Sequence, residues 1–173
     1  DKIALAFSVM LTLPGTPIIY YGDEFAKLND VDYYKEQIRY TGKDDTRFLV
    51  RGKIDWESTE KDLRNPDTLG YKVFNRLSKM IEVRKSFKAF GRGKIEWIDI
   101  KDSEGNIIPE IMAYARVYAH DQFVIIHNLS DKQVFIPENT NKICAGKEDR
   151  LGQPCPESNE KGIILEPCSF FWI

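Results

Sequence analysis

With 173 residues, the chain is long enough for one sizeable core or two small ones. Its 42% hydrophobic and 12% aromatic residues, set against 30% charged ones, exclude a disordered segment. A formal net charge of −2 and the absence of a basic run exclude the field that gathers nucleic acid or anionic lipid, which leaves neutral partners favoured.

The first segment, Ile3 to Leu13, is apolar around nearly its whole circumference, which predicts a helix covered on several sides. It is too short to span a bilayer, which takes about 20 residues, and Pro14-Gly15-Thr16-Pro17 is a turn rather than a cleavage site. The chain opens without Met, and a start inside a longer gene product is expected. Pro17-Ile-Ile-Tyr-Tyr21 is a continuous apolar run, the pattern of a parallel strand buried on both faces. Gly22 ends it, and Asp23-Glu24 follow.

From about Phe25 to Asp67 no period is sustained, yet charges and aromatics are dense, and a long functional loop is expected. Pro66-Asp67-Thr68 offers a cap for an amphipathic helix of about twenty residues, in which Leu69, Val73, Leu77, Met80, Ile81, Val83, Phe87 and Phe90 form the apolar stripe and Gly91 and Gly93 the stop. Beyond Gly93 the period changes to 2. Short strands are predicted at 95–100, 111–118, 123–127, 134–136, 162–165 and 168–173, separated by turn residues, as in an antiparallel sandwich. Trp97, Phe170, Phe171 and Trp172 are expected to pack inside it, with a sugar platform as the alternative.

The odd set Cys144, Cys155 and Cys168 has neither disulfide-scaffold density nor zinc-site spacing, so the cysteines read as reduced or incidental. A Cys144–Cys155 bridge across one long loop is the alternative. His120 and His127 have no nucleophile or metal-ligand companion in sequence and read as structural.

These elements split the chain near Gly91. Residues 1–91 are an α/β piece that cannot close its own sheet, and residues 92–173 an all-β unit.

The stretch Leu13-Pro-Gly-Thr-Pro-Ile-Ile-Tyr-Tyr-Gly-Asp-Glu24 resembles the segment around the eighth barrel strand of glycoside hydrolase family 13, the α-amylase family. The resemblance implies a fold class: the last βα unit of a (β/α)8 TIM barrel over residues 1–91, followed by an antiparallel β-sandwich over 92–173. Gly22 to Asp30, Asp44-Asp-Thr-Arg47 with Arg51, Arg64-Asn-Pro-Asp67 and Met80 to Arg84 are similar to amylosucrase and related sucrose-acting enzymes. Where those carry Arg-Trp-x-His-Arg-Pro, this chain has Arg47-Phe-Leu-Val-Arg-Gly52.

Barrel active sites assemble at the C-terminal ends of the strands, and Asp23 and Glu24 end the one strand expected. A retaining glycosidase needs two carboxyl groups about 5–5.5 Å apart on one sugar, whereas neighbours on a strand point to opposite faces. Tyr21, Asp23 and Glu24 therefore read as structural groups near the active site. The resemblance places the catalytic carboxylates upstream of Asp1, which leaves no catalytic residue here. It also implies that Arg47 and Arg51 line the sugar cleft, oriented by Asp44 or Asp45. The bland alternative is a solvated loop with surface ion pairs. Tyr33, Tyr34 and Trp56 could stack on sugars or form the loop's own small core.

The expected whole is the C-terminal part of a retaining glycosidase or transglucosidase acting on sucrose or an α-glucan, cytoplasmic, without metal or cofactor, and inactive as a fragment. A non-catalytic carbohydrate-binding or interaction module is the rival reading. A homodimer or a local rearrangement is expected through the exposed barrel-fragment surface.

Overall fold

A computed structural model of the chain describes residues 1–137, 148–156 and 162–173. It forms two compact units, residues 1–17 together with 77–173, and residues 18–76. The division thus falls elsewhere than the expected one at Gly91, because the first helix and the end of the long helix pack with the β-rich part.

In the first unit a four-stranded antiparallel sheet runs β1-β2-β3-β6, from β1 (Lys94–Ile98), β2 (Ile111–Tyr118), β3 (Asp121–Asn128) and β6 (Phe170–Trp172). A two-stranded sheet pairs β4 (Val134–Pro137) with β5 (Gly162–Leu165). Strand residues alternate between faces, and here both faces of the large sheet are covered. On one side Ile111, Ala113, Ile126, Phe171 and Ile173 share a core with Ile136, Ile163 and Leu165 of the small sheet and with Ile100 and Ile108. On the other lie Tyr114, Arg116, Phe123, Ile125, His127 and Trp172, all buried, against helices. Residues on both faces of β2 and β3 are accordingly buried.

The helices on that side are α1 (Lys2–Thr12), the end of α4 (Leu69–Ser86) and α5 (Lys88–Arg92). In α1 the buried residues Ala4, Leu5, Ser8, Leu11 and Thr12 fall at helical spacing, while Ile3 stays 39% exposed, so one face is covered rather than the whole circumference. The amphipathic helix expected through Phe90 breaks at Phe87, whose backbone is extended (φ −124°, ψ 124°). The break sets the Phe87 ring 4.7 Å from that of Phe123, and Phe90 4.9 Å from Phe123 and 5.0 Å from Trp172. Aromatic packing at these centroid distances outweighs one lost helical turn.

Trp97 does not join the core as expected. It is 63% exposed on the edge strand β1, its ring set edgewise 5.2 Å from Tyr114. Cys155 and Cys168 are free thiols, and the Cys144 half of the alternative bridge lies outside the described residues.

The second unit corrects two expectations. Pro17 to Tyr21 was expected as a buried parallel strand, yet no sheet among the described residues includes it, and Ile18 is 82% exposed. A parallel strand exists only through neighbours that take its backbone hydrogen bonds, and none is present to pair with it. The segment from Phe25 to Asp67 is not a structureless loop. It folds into α2 (Val31–Thr41), a 3-10 turn (Thr46–Val50) and α3 (Trp56–Leu63) before the start of α4.

Side chains start each of these elements. Asp30 Oδ1 accepts from the Tyr33 N–H at 2.9 Å, Asp45 Oδ1 from Arg47 at 3.0 Å, Asp55 Oδ1 from Ser58 at 3.2 Å, and Thr68 Oγ1 from Tyr71 at 3.2 Å. Such caps are worth about 1 kcal/mol each. Neither α2 nor α3 buries a residue fully, so neither shows the apolar stripe by which helices are read from sequence.

Candidate functional site

The candidate residues all lie in the second unit, between Tyr20 and Trp56. Gly22 takes φ +98°, a conformation open to glycine, and its N–H donates to Glu24 Oε2 at 2.7 Å. Glu24 therefore closes the turn of its own chain, while Asp23 is exposed at the start of a 3-10 turn. The return strand of the loop is tied close to this turn. Lys27 Nζ donates to the Gly52 carbonyl at 2.8 Å, and the Asp30 N–H to the Leu49 carbonyl at 2.7 Å. Gly52 is buried, and a Cβ there would stand 2.2 Å from Asp30 Oδ2, so only glycine allows the approach.

The two arginines are held differently. Arg47 makes a fork onto Asp45, with Nε 2.8 Å from Oδ1 and 2.9 Å from Oδ2 and a terminal nitrogen 2.6 Å from Oδ2. The Arg47 side chain in this pair is 70% exposed and that of Asp45 22%. These hydrogen bonds, the guanidinium's first and the backbone N–H second, bring the Asp45 carboxyl down to about 2 and raise the Arg47 pKa. Arg51 closes the same 3-10 turn with its backbone N–H, 3.2 Å from the Phe48 carbonyl. Among the described residues its guanidinium has no hydrogen-bond partner, and its charge reaches Tyr21 and Asp45.

Asp44 is tied back to α2, accepting from the Tyr34 hydroxyl at 2.5 Å, which holds the Tyr34 phenol above its ordinary pKa. Tyr21 is raised as well, by desolvation first and by Tyr20 next, with Arg51 opposing. Its ring tilts against Tyr20 with centroids 4.8 Å apart, and the Lys27 ammonium lies 5.9 Å from its centroid. Tyr33 meets Phe48 edgewise at 6.5 Å, and Phe25 meets Trp56 at 6.4 Å. The loop aromatics thus pair with one another yet leave faces open, Trp56 60% exposed and Tyr21 43%.

Of the residues singled out from sequence, Asp45 and Arg47 are in direct contact, Arg51 is electrostatically linked to Asp45 and Tyr21, and Asp44 faces Tyr34 instead. Sequence reasoning missed Lys27 and the link of Tyr34 to Asp44. The signals were present, an Asp30 cap and Gly42 at φ +68° bounding α2, whose reversal brings Tyr34 to Asp44. Unpaired guanidinium donors, carboxylate acceptors and open aromatic faces suit a neutral polyhydroxylated ligand. No cluster among the described residues could hold a metal ion, and none of the described helices is long and apolar enough to cross a membrane.

No protein-family model matches the chain. The sequence relatives and structural neighbours are enzymes of the α-amylase family, glycoside hydrolase family 13. Alpha-amylase 3 of Dictyoglomus thermophilum is 30% identical over 142 residues, covering 75% of this chain and 26% of the relative. A cyclomaltodextrinase of Geobacillus thermopakistaniensis is 26% identical over 136 residues, 79% of this chain and 18% of its own length. The crystal structure of trehalose-6-phosphate hydrolase from Bacillus licheniformis superposes with a TM-score of 0.63 at 19% identity, over 99% of this chain and 38% of that one. The chain therefore spans about a quarter of the length of the curated relatives it matches.

Proposed function

We propose that this chain is the C-terminal part of an α-amylase-family enzyme that cleaves or transfers α-glucosidic bonds, with an α-glucan or a sucrose-type sugar as substrate. The observation that carries the reading is the fold likeness along 99% of the chain to one such solved structure, joined to 30% identity with an alpha-amylase. The longer protein would work by retaining double displacement, its reacting carboxylates supplied by segments outside this chain. This chain would contribute sugar contacts. Arg51 donates to ring hydroxyls, Arg47 is pinned by Asp45 as the wall beside it, Tyr21 offers a ring face, and Asp23 and Glu24 shape the turn. Amylosucrase-like preference for sucrose is the finer form of this reading.

The test is steady-state kinetics of the full-length gene product on maltooligosaccharides and on sucrose. Arg51→Ala loses one or two hydrogen bonds to sugar, about 1.5 kcal/mol, and raises KM about ten-fold. Unchanged kcat/KM on both substrates overturns the placement of Arg51. Calorimetric titration of the 173-residue chain with maltooligosaccharides gives weak or no heat on this reading, and tight binding would favour a non-catalytic binding module.

A further inference from the structure

Under α1 lies a buried polar cluster that the sugar-binding reading does not use. Ser8, His127 and Trp172 are each fully buried in the first unit. Ser8 Oγ is 2.8 Å from Trp172 Nε1 and 2.9 Å from His127 Nε2. An indole nitrogen only donates, so Ser8 Oγ accepts from Trp172. Among the described residues Ser8 Oγ has no other hydrogen-bond partner, so the acceptor open to its buried hydroxyl proton is His127 Nε2, as the bare nitrogen of a neutral imidazole carrying its proton on Nδ1. Nδ1 is buried and makes no hydrogen bond of good geometry.

We propose that Ser8, His127 and Trp172 form an acid-sensitive latch, in which protonation of His127 releases α1 from the sheet. A proton on Nε2 removes the acceptor of the Ser8 hydroxyl, whose proton is left buried without a partner, and puts a charge in a buried place where the Met112 backbone is its one support among the described residues. From β2 the cluster meets Tyr114, ring centroid 6.0 Å away, and the Met112 backbone, and the charged residue on that face of β2 is the cation Arg116. Tyr114 is held at about 12 by burial and stays neutral. β6 brings Phe170, centroid 6.2 Å away, and Trp172, neither of them charged. On α1 the charged residues Asp1 and Lys2 stand at the far end, about 10 Å up the helix from Ser8, and α5 adds the cations Lys88 and Arg92. On β3 itself Asp121 shares the face about 20 Å along the strand. The buried carboxylate beside β6, Asp149, takes the Trp172 backbone N–H at 2.7 Å and the Gln153 N–H groups at 3.1 Å, and among the described residues no carboxylate is hydrogen-bonded to His127.

Burial, opposed by the smaller effect of the Met112 backbone, pushes the His127 pKa from 6.5 down to about 4. The folded value lies below the free one, so the latch is whole above pH 6.5 and weakens as pH falls. The equilibrium for α1 opening grows by nearly tenfold per pH unit between these values and reaches about 160-fold at pH 4.

The experiment is a pH series from 7.5 to 4 on the 173-residue chain, followed by nitrogen-15 histidine spectra and by backbone hydrogen exchange corrected for its intrinsic pH dependence. The latch requires the Nδ1–H tautomer of His127 at pH 7, and α1 amides that lose protection below pH 6 while β2 and β3 keep theirs. Trp172 emission, isolated in a Trp56→Phe, Trp97→Phe background, shifts to the red over the same range, and His127→Gln flattens that shift. Loss of α1 and sheet protection together, titration of His127 alongside His120, or an unchanged transition in His127→Gln overturns the proposal. If His127→Gln does not fold, the exchange series on the unmodified chain decides by itself.

Discussion

Asp45 grips Arg47 twice: its Oδ1 takes the Arg47 backbone N–H at 3.0 Å, and the carboxylate as a whole takes the guanidinium at 2.6–2.9 Å. One side chain thus starts the 46–50 turn and sets the direction of the cation. Arg51, four residues on, has no such partner among the described residues.

That grip is readable by titration. Carbon-13 spectra of the carboxyl groups should find Asp45 protonating near 2 rather than at its ordinary 3.8. Because the folded value is the lower one, the stabilisation is present above 3.8 and lost as pH falls through about 2. Arg47→Gln removes the first cause and returns Asp45 towards the ordinary value. An Asp45 that titrates normally in the unaltered chain would mean that the fork does not form in solution.

Gly52→Ala forces a Cβ against the Asp30 carboxylate, which itself caps α2. Overpacking of this kind costs about 1–3 kcal/mol. The loss should be local, seen as faster amide exchange in residues 30–52 with the sheet unaffected. Equal exchange in variant and parent would show that the two strands of the loop are not in contact.

Arg116 is buried with a carbonyl on each side: Thr12 at 2.6 Å, and Phe90 and Gly93 both at 2.9 Å. It ties α1 and α5 to β2 without a carboxylate partner among the described residues. Arg116→Met strands the three carbonyls and should lower stability by about 3 kcal/mol or more, read from the urea midpoint. Arg116→Lys recovers little, since an ammonium cannot reproduce the planar fork. A Met variant as stable as the parent would mark this cluster as dispensable.

Asn128-Leu-Ser130 is a glycosylation triplet by sequence. Its amide is buried and donates to the carbonyls of Lys132, Leu165 and Glu166, at 2.7–3.2 Å. Expression in a glycosylating host should leave Asn128 unmodified by intact mass, and Asn128→Ala should cost about 2 kcal/mol. A glycan at Asn128 would contradict the placement of the turn.

What the sequence by itself determined is what repeats over short distances. β2 and β5 lie where the period of 2 put them, Ile111–Tyr118 and Gly162–Leu165, and α4 starts after the Thr68 cap, because alternation, helical spacing and capping act among near neighbours. Asp45 beside Arg47 was legible for the same reason. The helices α2 and α3 were not, since they bury no stripe, and Phe87 breaks its helix for a ring on β3 that the local pattern cannot announce. Only the tertiary structure decided that Pro17 to Tyr21 joins no sheet among the described residues, that Trp97 faces water, and that Ser8 meets His127 across 119 residues. A strand needs partners for its backbone and a buried hydroxyl needs an acceptor, and both come from chain far away in sequence.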